Sequence, residues 1–288
     1  MKPIPDCVPD ALCMIIATAR AVSDDDFIHR KVLLKVMAEI ADDGDLGSNP
    51  ADLYLQCWET ACRALGVKDP YENEKARGDK TALGILKILA EKFPNQGGDP
   101  LPEAIKTAFA GAMLDFNGLG RSDMQEKIAE YYNTAPVRDE TPALLHAIDK
   151  ANSVMLVANR AGEIAMDKPL AEAMANMGKK VYVAVAAKPI FVMATEKDAA
   201  TSGYPETIEV VSPGTAMYGL VQERASSEFR DLLASVDLVI VKGCTHFSTM
   251  TPQRDVFFIL KASQEEVASR LEIEAGGGAI VKMSAIGD

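Results

Sequence analysis

Two apolar runs in this chain stop abruptly at short polar loops, and those loops carry the residue types best suited to chemistry. Ser153 to Asp167 reads SVMLVANRAGEIAMD, and Val236 to Met250 reads VDLVIVKGCTHFSTM. In the first, Asn159, Arg160, Gly162 and Glu163 follow the run; in the second, Lys242, Gly243, Cys244 and His246 follow it. Open α/β sheets bind ligands outside the carboxyl ends of their strands, so these two loops form the expected site. Lys242 suits a phosphate, as a point charge with three donors, and otherwise reaches solvent past the sheet edge. Gly243 and Gly162 let the backbone approach a ligand closely. Arg160 can clamp a phosphate or carboxylate bidentately, beside the free N–H groups of the helix expected to follow; equally, it can pair with Glu163. Ser212 to Gly219, SPGTAMYG, is a third loop after a strand, where Gly214 and Thr215 could supply further contacts, although Pro-Gly is first of all a turn.

Cys244 and His246 stand two residues apart, as a thiol–imidazole pair or two soft metal ligands would, but two ligands alone make no metal site. The other cysteines are Cys7, Cys13, Cys57 and Cys62. An odd number without a Cys-x-x-Cys pair points to reduced thiols. Cys13, Cys57 and Cys62 read as buried small hydrophobes in helices, whereas Cys7 and Cys244 have loop surroundings. His29 and His146 fall in helical stretches. Neither a Gly-x-Ser-x-Gly elbow nor a Gly-x-Gly-x-x-Gly fingerprint is present.

The elements that must position these residues follow from periodicity. Residues 1–150 read as a helical domain. In DDDFIHRKVLLKVMAEIADD the residues Phe27, Val32, Leu33, Val36, Met37 and Ile40 form an apolar stripe of helical period. Pro50 and Gly66 punctuate the start and end of another helix. Residues 151–288 alternate short apolar runs with helical segments. SVMLVA, KKVYVAVAA, TIEVVS, DLVIVKG, DVFFILKA and Ala279 to Met283 are the expected strands. The predicted fold is α/β, a doubly wound and mostly parallel Rossmann-like sheet behind an all-helical cap.

With 288 residues, 48% of them hydrophobic, the chain has ample core. A net charge of −12 argues against nucleic acid and anionic membranes as partners. No apolar run approaches the ~18 residues of a membrane span, and the start is a poor signal peptide, so a cytoplasmic location is expected. The expected partner is a small anion or phosphorylated metabolite; the oligomeric state is open.

Several segments in order carry a family resemblance: DPYENEK (Asp69 to Lys75), DPLPEAIKTAFAGAMLDF, SSEFRDLLASVDLVIVKG and DVFFILKASQEEVASRLEIEAGGGAIV. Through them the chain resembles, almost end to end, the damage-control phosphatases of the group once called domain of unknown function 89. The resemblance implies divalent-metal-dependent removal of phosphate from sugar phosphates and related metabolites. It places the family's Asp-Asn metal pair on Asn159 and Arg160 and a third ligand on Met193. The family's Lys-Gly-Gln-Gly-Asn-Phe-Glu loop becomes KGCTHFS, which keeps Lys242, Gly243 and Phe247. Its N-terminal Cys-x-x-Cys becomes Cys7 with Asp10. Mg²⁺ and Mn²⁺ need hard oxygen ligands, usually carboxylates, so these replacements lead to an expectation of no metal and no other cofactor. Three readings stay open. The first is an anion-binding member without the usual metal. The second is a phosphatase using Mn, Mg, Co or Ni through rearranged ligands such as Glu163, Asp167, Asp198 or His246. The third is a non-catalytic interaction protein.

Overall fold

The computed structural model describes residues 5, 7–43, 49–92, 99–114, 116, 121–216 and 218–284. Helices α1 (Cys7–Val22), α2 (Asp26–Asp43), α3 (Pro50–Leu65), α4 (Glu72–Lys92), α5 (Pro100–Met113) and α6 (Arg121–Asn133) come first. Local chemistry sets several ends. Asn49 caps α3 by accepting from the Ala51 N–H, Pro50 occupies the first turn, and Gly66 closes the helix in the left-handed region at φ 72°. On α2 the buried stripe is narrower than its period implies. Val32 and Val36 are buried, but Phe27 is 70% and Met37 46% exposed, because only one edge of the stripe meets α1 and α3.

The second half is a seven-stranded sheet in the order β1-β7-β6-β5-β2-β3-β4. Its strands are β1 (Arg138–Asp139), β2 (Ser153–Val157), β3 (Lys180–Ala184), β4 (Ile208–Val211), β5 (Leu238–Lys242), β6 (Val256–Lys261) and β7 (Gly278–Met283). All pairings are parallel except β6 with β7. The intervening helices are α7 (Thr141–Lys150), α8 (Glu163–Asn176), α9 (Glu196–Ser202), α10 (Ser227–Ser235), α11 (Cys244–Thr249) and α12 (Glu265–Leu271). The doubly wound α/β architecture with helices ahead of it is thus the one the alternation predicted.

Alternate strand residues serve opposite faces, as a pleat requires. Val154, Leu156, Val181, Val183 and Ile240 face one core with α5, α7 and α8; Met155, Val157, Tyr182, Val239 and Val241 face the other with α10, α11 and α12. Burial on both sides explains why these strands read as unbroken apolar runs. The helices ahead of β2 fall into three groups. Those of α1, α2 and α3 form a cap whose core includes Ile190, Phe191 and Met193 from the loop after β3, α4 and α6 share a smaller core with Ala165 and Met166 of α8, and α5 and α7 lie on the sheet itself. The sheet also begins earlier than residue 151, at the edge strand β1.

Candidate functional site

The crossing point between β2 and its neighbours β5 and β3 brings the polar loops together, as the parallel order requires. The loop after β2 is tied to the loop after β3 by its backbone. Arg160 and Met193 form an antiparallel bridge, the Ala161 N–H donates to the Val192 carbonyl at 3.0 Å, and the Ala194 N–H donates to the Asn159 carbonyl at 3.0 Å. The three positions to which the family resemblance assigns metal ligands are therefore neighbours.

Their side chains do different things. Met193 is buried in the cap core among residues such as Ile15, Trp58 and Phe191. Beside it, Phe191 holds a φ of 46°, a left-handed conformation unusual for a bulky residue, and packs edge-on to Tyr218 at 5.0 Å between centroids. Arg160 is half-buried; burial pushes the Tyr218 phenol up to about 12 against the pull of the Arg160 charge. Asn159 is 6% exposed, and its Nδ2 donates to Glu163 Oε2 at 2.7 Å. An amide, a guanidinium and a thioether do not fit Mg²⁺ or Mn²⁺, which want several hard, mostly anionic oxygens. Among the described residues, no three His, Cys, Asp or Glu side chains are grouped to hold a metal.

Lys242 fits neither reading made of it. It is 0% exposed and neither reaches solvent nor faces an open pocket. Its ammonium sits 2.7 Å from Asp167 Oδ1 and 3.2 Å from Glu163 Oε1, and donates to the Ala108 carbonyl of α5 at 2.6 Å. Burial works against the Lys242 charge, but the two carboxylates outweigh it and hold its pKa up. Burial pushes Asp167 up to about 7 against the pull of Lys242, with repulsion from Glu163 adding to the rise. Glu163 thus pairs with Lys242 and Asn159. It occupies this place because α8 begins early, at Glu163, directly after Gly162 in the loop.

That early start also changes the helix N-terminus. The Gly162 N–H, expected to face a ligand anion, donates instead to Asp79 Oδ1 of α4 at 2.6 Å. Gly162 has φ 78°, and a Cβ there would lie 2.8 Å from Phe116 and 3.1 Å from the Gly78 backbone. Asp79 is buried against Asp198, which accepts from the Thr195 N–H at 2.7 Å and its hydroxyl at 2.6 Å. Burial pushes Asp79 up to about 7, helped by Asp198 and opposed by the Gly162 N–H. Asp79 escaped the sequence reading because its partner is 83 residues away; its only local signal is a place one turn beyond Lys75.

Cys244 and His246 go to separate partners because two residues on a helix span about 200°. Cys244 Sγ lies 2.8 Å from Ser263 Oγ, and His246 Nε2 donates to the Ala158 carbonyl at 3.0 Å. Cys7 and Cys244 open helices α1 and α11, and so are not loop residues. Cys13 is exposed, contrary to its expected burial; Cys57 is buried and Cys62 half-buried. Cys7 lines a recess of about 270 Å³ with Asp10, Tyr54 and Tyr218, in which Asp10 accepts from the Tyr54 hydroxyl at 2.5 Å. Gly243, at φ 89°, lies under Asn159; a Cβ would come within 2.3 Å of the Asn159 Cγ. Gly214 turns at φ 79°, and the buried Thr215 hydroxyl finds no partner among the described residues.

Comparison with known proteins bears on the fold that carries these loops. The sequence matches the Damage-control phosphatase ARMT1-like domain over residues 4–277. It is 25% identical over 271 residues to a damage-control phosphatase of Pyrococcus horikoshii, covering 92% of this chain and 93% of that protein. A damage-control phosphatase of Archaeoglobus fulgidus is 24% identical over 286 residues, covering 96% and 97%. The crystal structure of a DUF89 family protein from Pyrococcus horikoshii superposes with a TM-score of 0.88 at 23% identity, over 98% of this chain and 99% of that one.

Proposed function

Since the chain belongs to the damage-control phosphatase ARMT1-like domain family, we propose that it keeps the family's ligand position at the strand ends but binds a small anionic or phosphorylated metabolite without a divalent metal. The observation that carries this reading is the bridge between Arg160 and Met193, which sets a cation and a thioether where the family resemblance calls for metal ligands. A guanidinium at that point repels a divalent cation and attracts the anion that the cation would have held. Lys242 acts at one remove. Its charge is engaged by Asp167 and Glu163, so it fixes the loop that carries Arg160 and does not touch the ligand.

The carboxylates available for a rearranged metal set are committed elsewhere. Glu163 and Asp167 hold Lys242 and Asp198 caps α9, which leaves only the Nδ1 nitrogen of His246, and one ligand makes no metal site. The test is thermal unfolding of the purified protein with inorganic phosphate and with glucose 6-phosphate, each with and without EDTA. At a ligand concentration of about 100 Kd the expected stabilisation is about 2.7 kcal/mol, insensitive to EDTA and lost in Arg160→Ala. Phosphate release that requires Mn²⁺, Co²⁺ or Ni²⁺ and stops with EDTA would overturn the proposal in favour of an active phosphatase. A flat response to every anion would overturn it in favour of a non-catalytic interaction protein.

A further inference from the structure

Two buried acceptors at the strand ends lack donors, and their chemistry is fixed by what their other ends touch. The Ala158 carbonyl can only accept, so His246 Nε2 carries the hydrogen and Nδ1 is a bare lone pair. Burial pushes this imidazole down to about 4, which keeps it neutral. Glu163 likewise can only accept, so the Asn159 amide presents Nδ2 to it and leaves Oδ1 as an acceptor. His246 is 4% exposed and Asn159 6%, and neither His246 Nδ1 nor Asn159 Oδ1 has a hydrogen-bond partner among the described residues. His246 lines a cavity of about 20 Å³ whose other walls include Val157, Ala184, Met193, Leu220 and Phe229. That is room for one group the size of a water molecule.

We propose that this cavity receives a hydroxyl or neutral amine of the ligand anchored at Arg160, with His246 Nδ1 as the specificity-determining acceptor. The inference rests on the metal-free anion site proposed above and adds the ligand's second feature, a hydrogen-bond donor close to its charge. Arg160 and His246 are connected through shared neighbours. Met193 is bridged to Arg160 and lines the cavity with His246, while Tyr218 feels the Arg160 charge and bonds to Thr245, the residue before His246. An oxygen of a phosphate or carboxylate would set acceptor against acceptor in the cavity, and a methyl group would leave Nδ1 unpaired. A neutral donor satisfies it in surroundings too apolar for a charge.

Matched probes test this by calorimetric titration. L-Lactate against propionate examines a carboxylate ligand, and glycerol 3-phosphate against propyl phosphate examines a phosphate. The hydroxyl-bearing member should bind roughly tenfold or more tightly in at least one pair. The preference should vanish in His246→Phe and persist in His246→Gln, which keeps an acceptor. A second readout uses the unaltered protein, where the His246 Nδ1 nitrogen-15 resonance should move with the hydroxyl-bearing member only. Equal affinity within both pairs, or an unmoved resonance, would overturn the donor pocket while leaving the anion site standing. Failure of all four probes to bind would overturn the anion site and this inference with it.

Discussion

The loop Asn159 to Glu163 has two flanks, and they differ in how their buried polar groups are compensated. On the Lys242 flank, one ammonium offsets two carboxylates and donates to the Ala108 carbonyl, although Asp167 Oδ2 has no hydrogen-bond partner among the described residues. On the His246 flank, two equally buried acceptors are left without donors. Both flanks hold residue types that signal chemistry in a sequence, and the lysine is the louder signal of the two. Charge compensation distinguishes them. A cluster whose opposite charges face one another is framework, while a buried neutral acceptor with neither donor nor counter-charge is where a ligand has something to offer.

The largest expected effect breaks the closed flank. Lys242→Met leaves Asp167 and Glu163 buried without their cation and should lower stability by about 3–5 kcal/mol in urea unfolding. Adding Asp167→Leu should recover much of that loss, since an apolar replacement of a buried ion pair is often tolerated. A Lys242→Met variant as stable as its parent would mean that the cluster is not framework. Next comes the wall shared by both flanks. Gly243→Ala puts a methyl within 2.3 Å of Asn159 at a φ of 89° and should cost on the order of 1–3 kcal/mol. The crowding should also displace the Asn159 amide, so the nitrogen-15 spectrum of its side chain checks the cause directly.

The smallest effect sharpens the comparison through pH. Asp79 is pushed up to about 7 from an ordinary 3.8, so the folded chain keeps a proton that the unfolded chain has released. Stability should therefore fall as pH rises from about 4 to about 7 and level off above that. Asp167, also raised to about 7, adds to the same slope. His246, lowered to about 4 from 6.5, acts in the opposite sense, and its contribution is lost as pH falls through that interval. Asp79→Asn should make the decline between pH 4 and 7 shallower without abolishing it. An unchanged slope in urea titrations across that range would show that Asp79 does not hold the proton.

Much of the fold could be read from the sequence because its signals are local. Unbroken apolar runs such as Leu238 to Val241 mark strands buried on both faces, and Pro50 with Gly66 marks a helix whose ends are set within a few residues. The stripe on α2 was over-read for the same reason. Periodicity shows which residues share a face but not how far a neighbour covers it, so Phe27 and Met37 face solvent. The site was legible only as a place. Its loops were found from the strand ends, but the destinations of Lys242, Glu163 and the Gly162 N–H depend on residues 134, 79 and 83 positions away.

The amino-acid sequence by itself determined the alternation of strands and helices, the family, and which residues, Asn159, Arg160 and Met193, stand where the family resemblance assigns metal ligands. These are properties of residue type and order, and they hold whatever the chain packs against. Only the tertiary structure decided which of the candidate polar groups remain incomplete. Lys242 is neutralised because α8 starts at Glu163 and turns Asp167 under β5, while His246 Nδ1 is left bare because its ring is aimed at the Ala158 carbonyl. A buried group's charge and bonding are set by the few atoms within about 4 Å of it, and the packing of distant segments chooses those atoms.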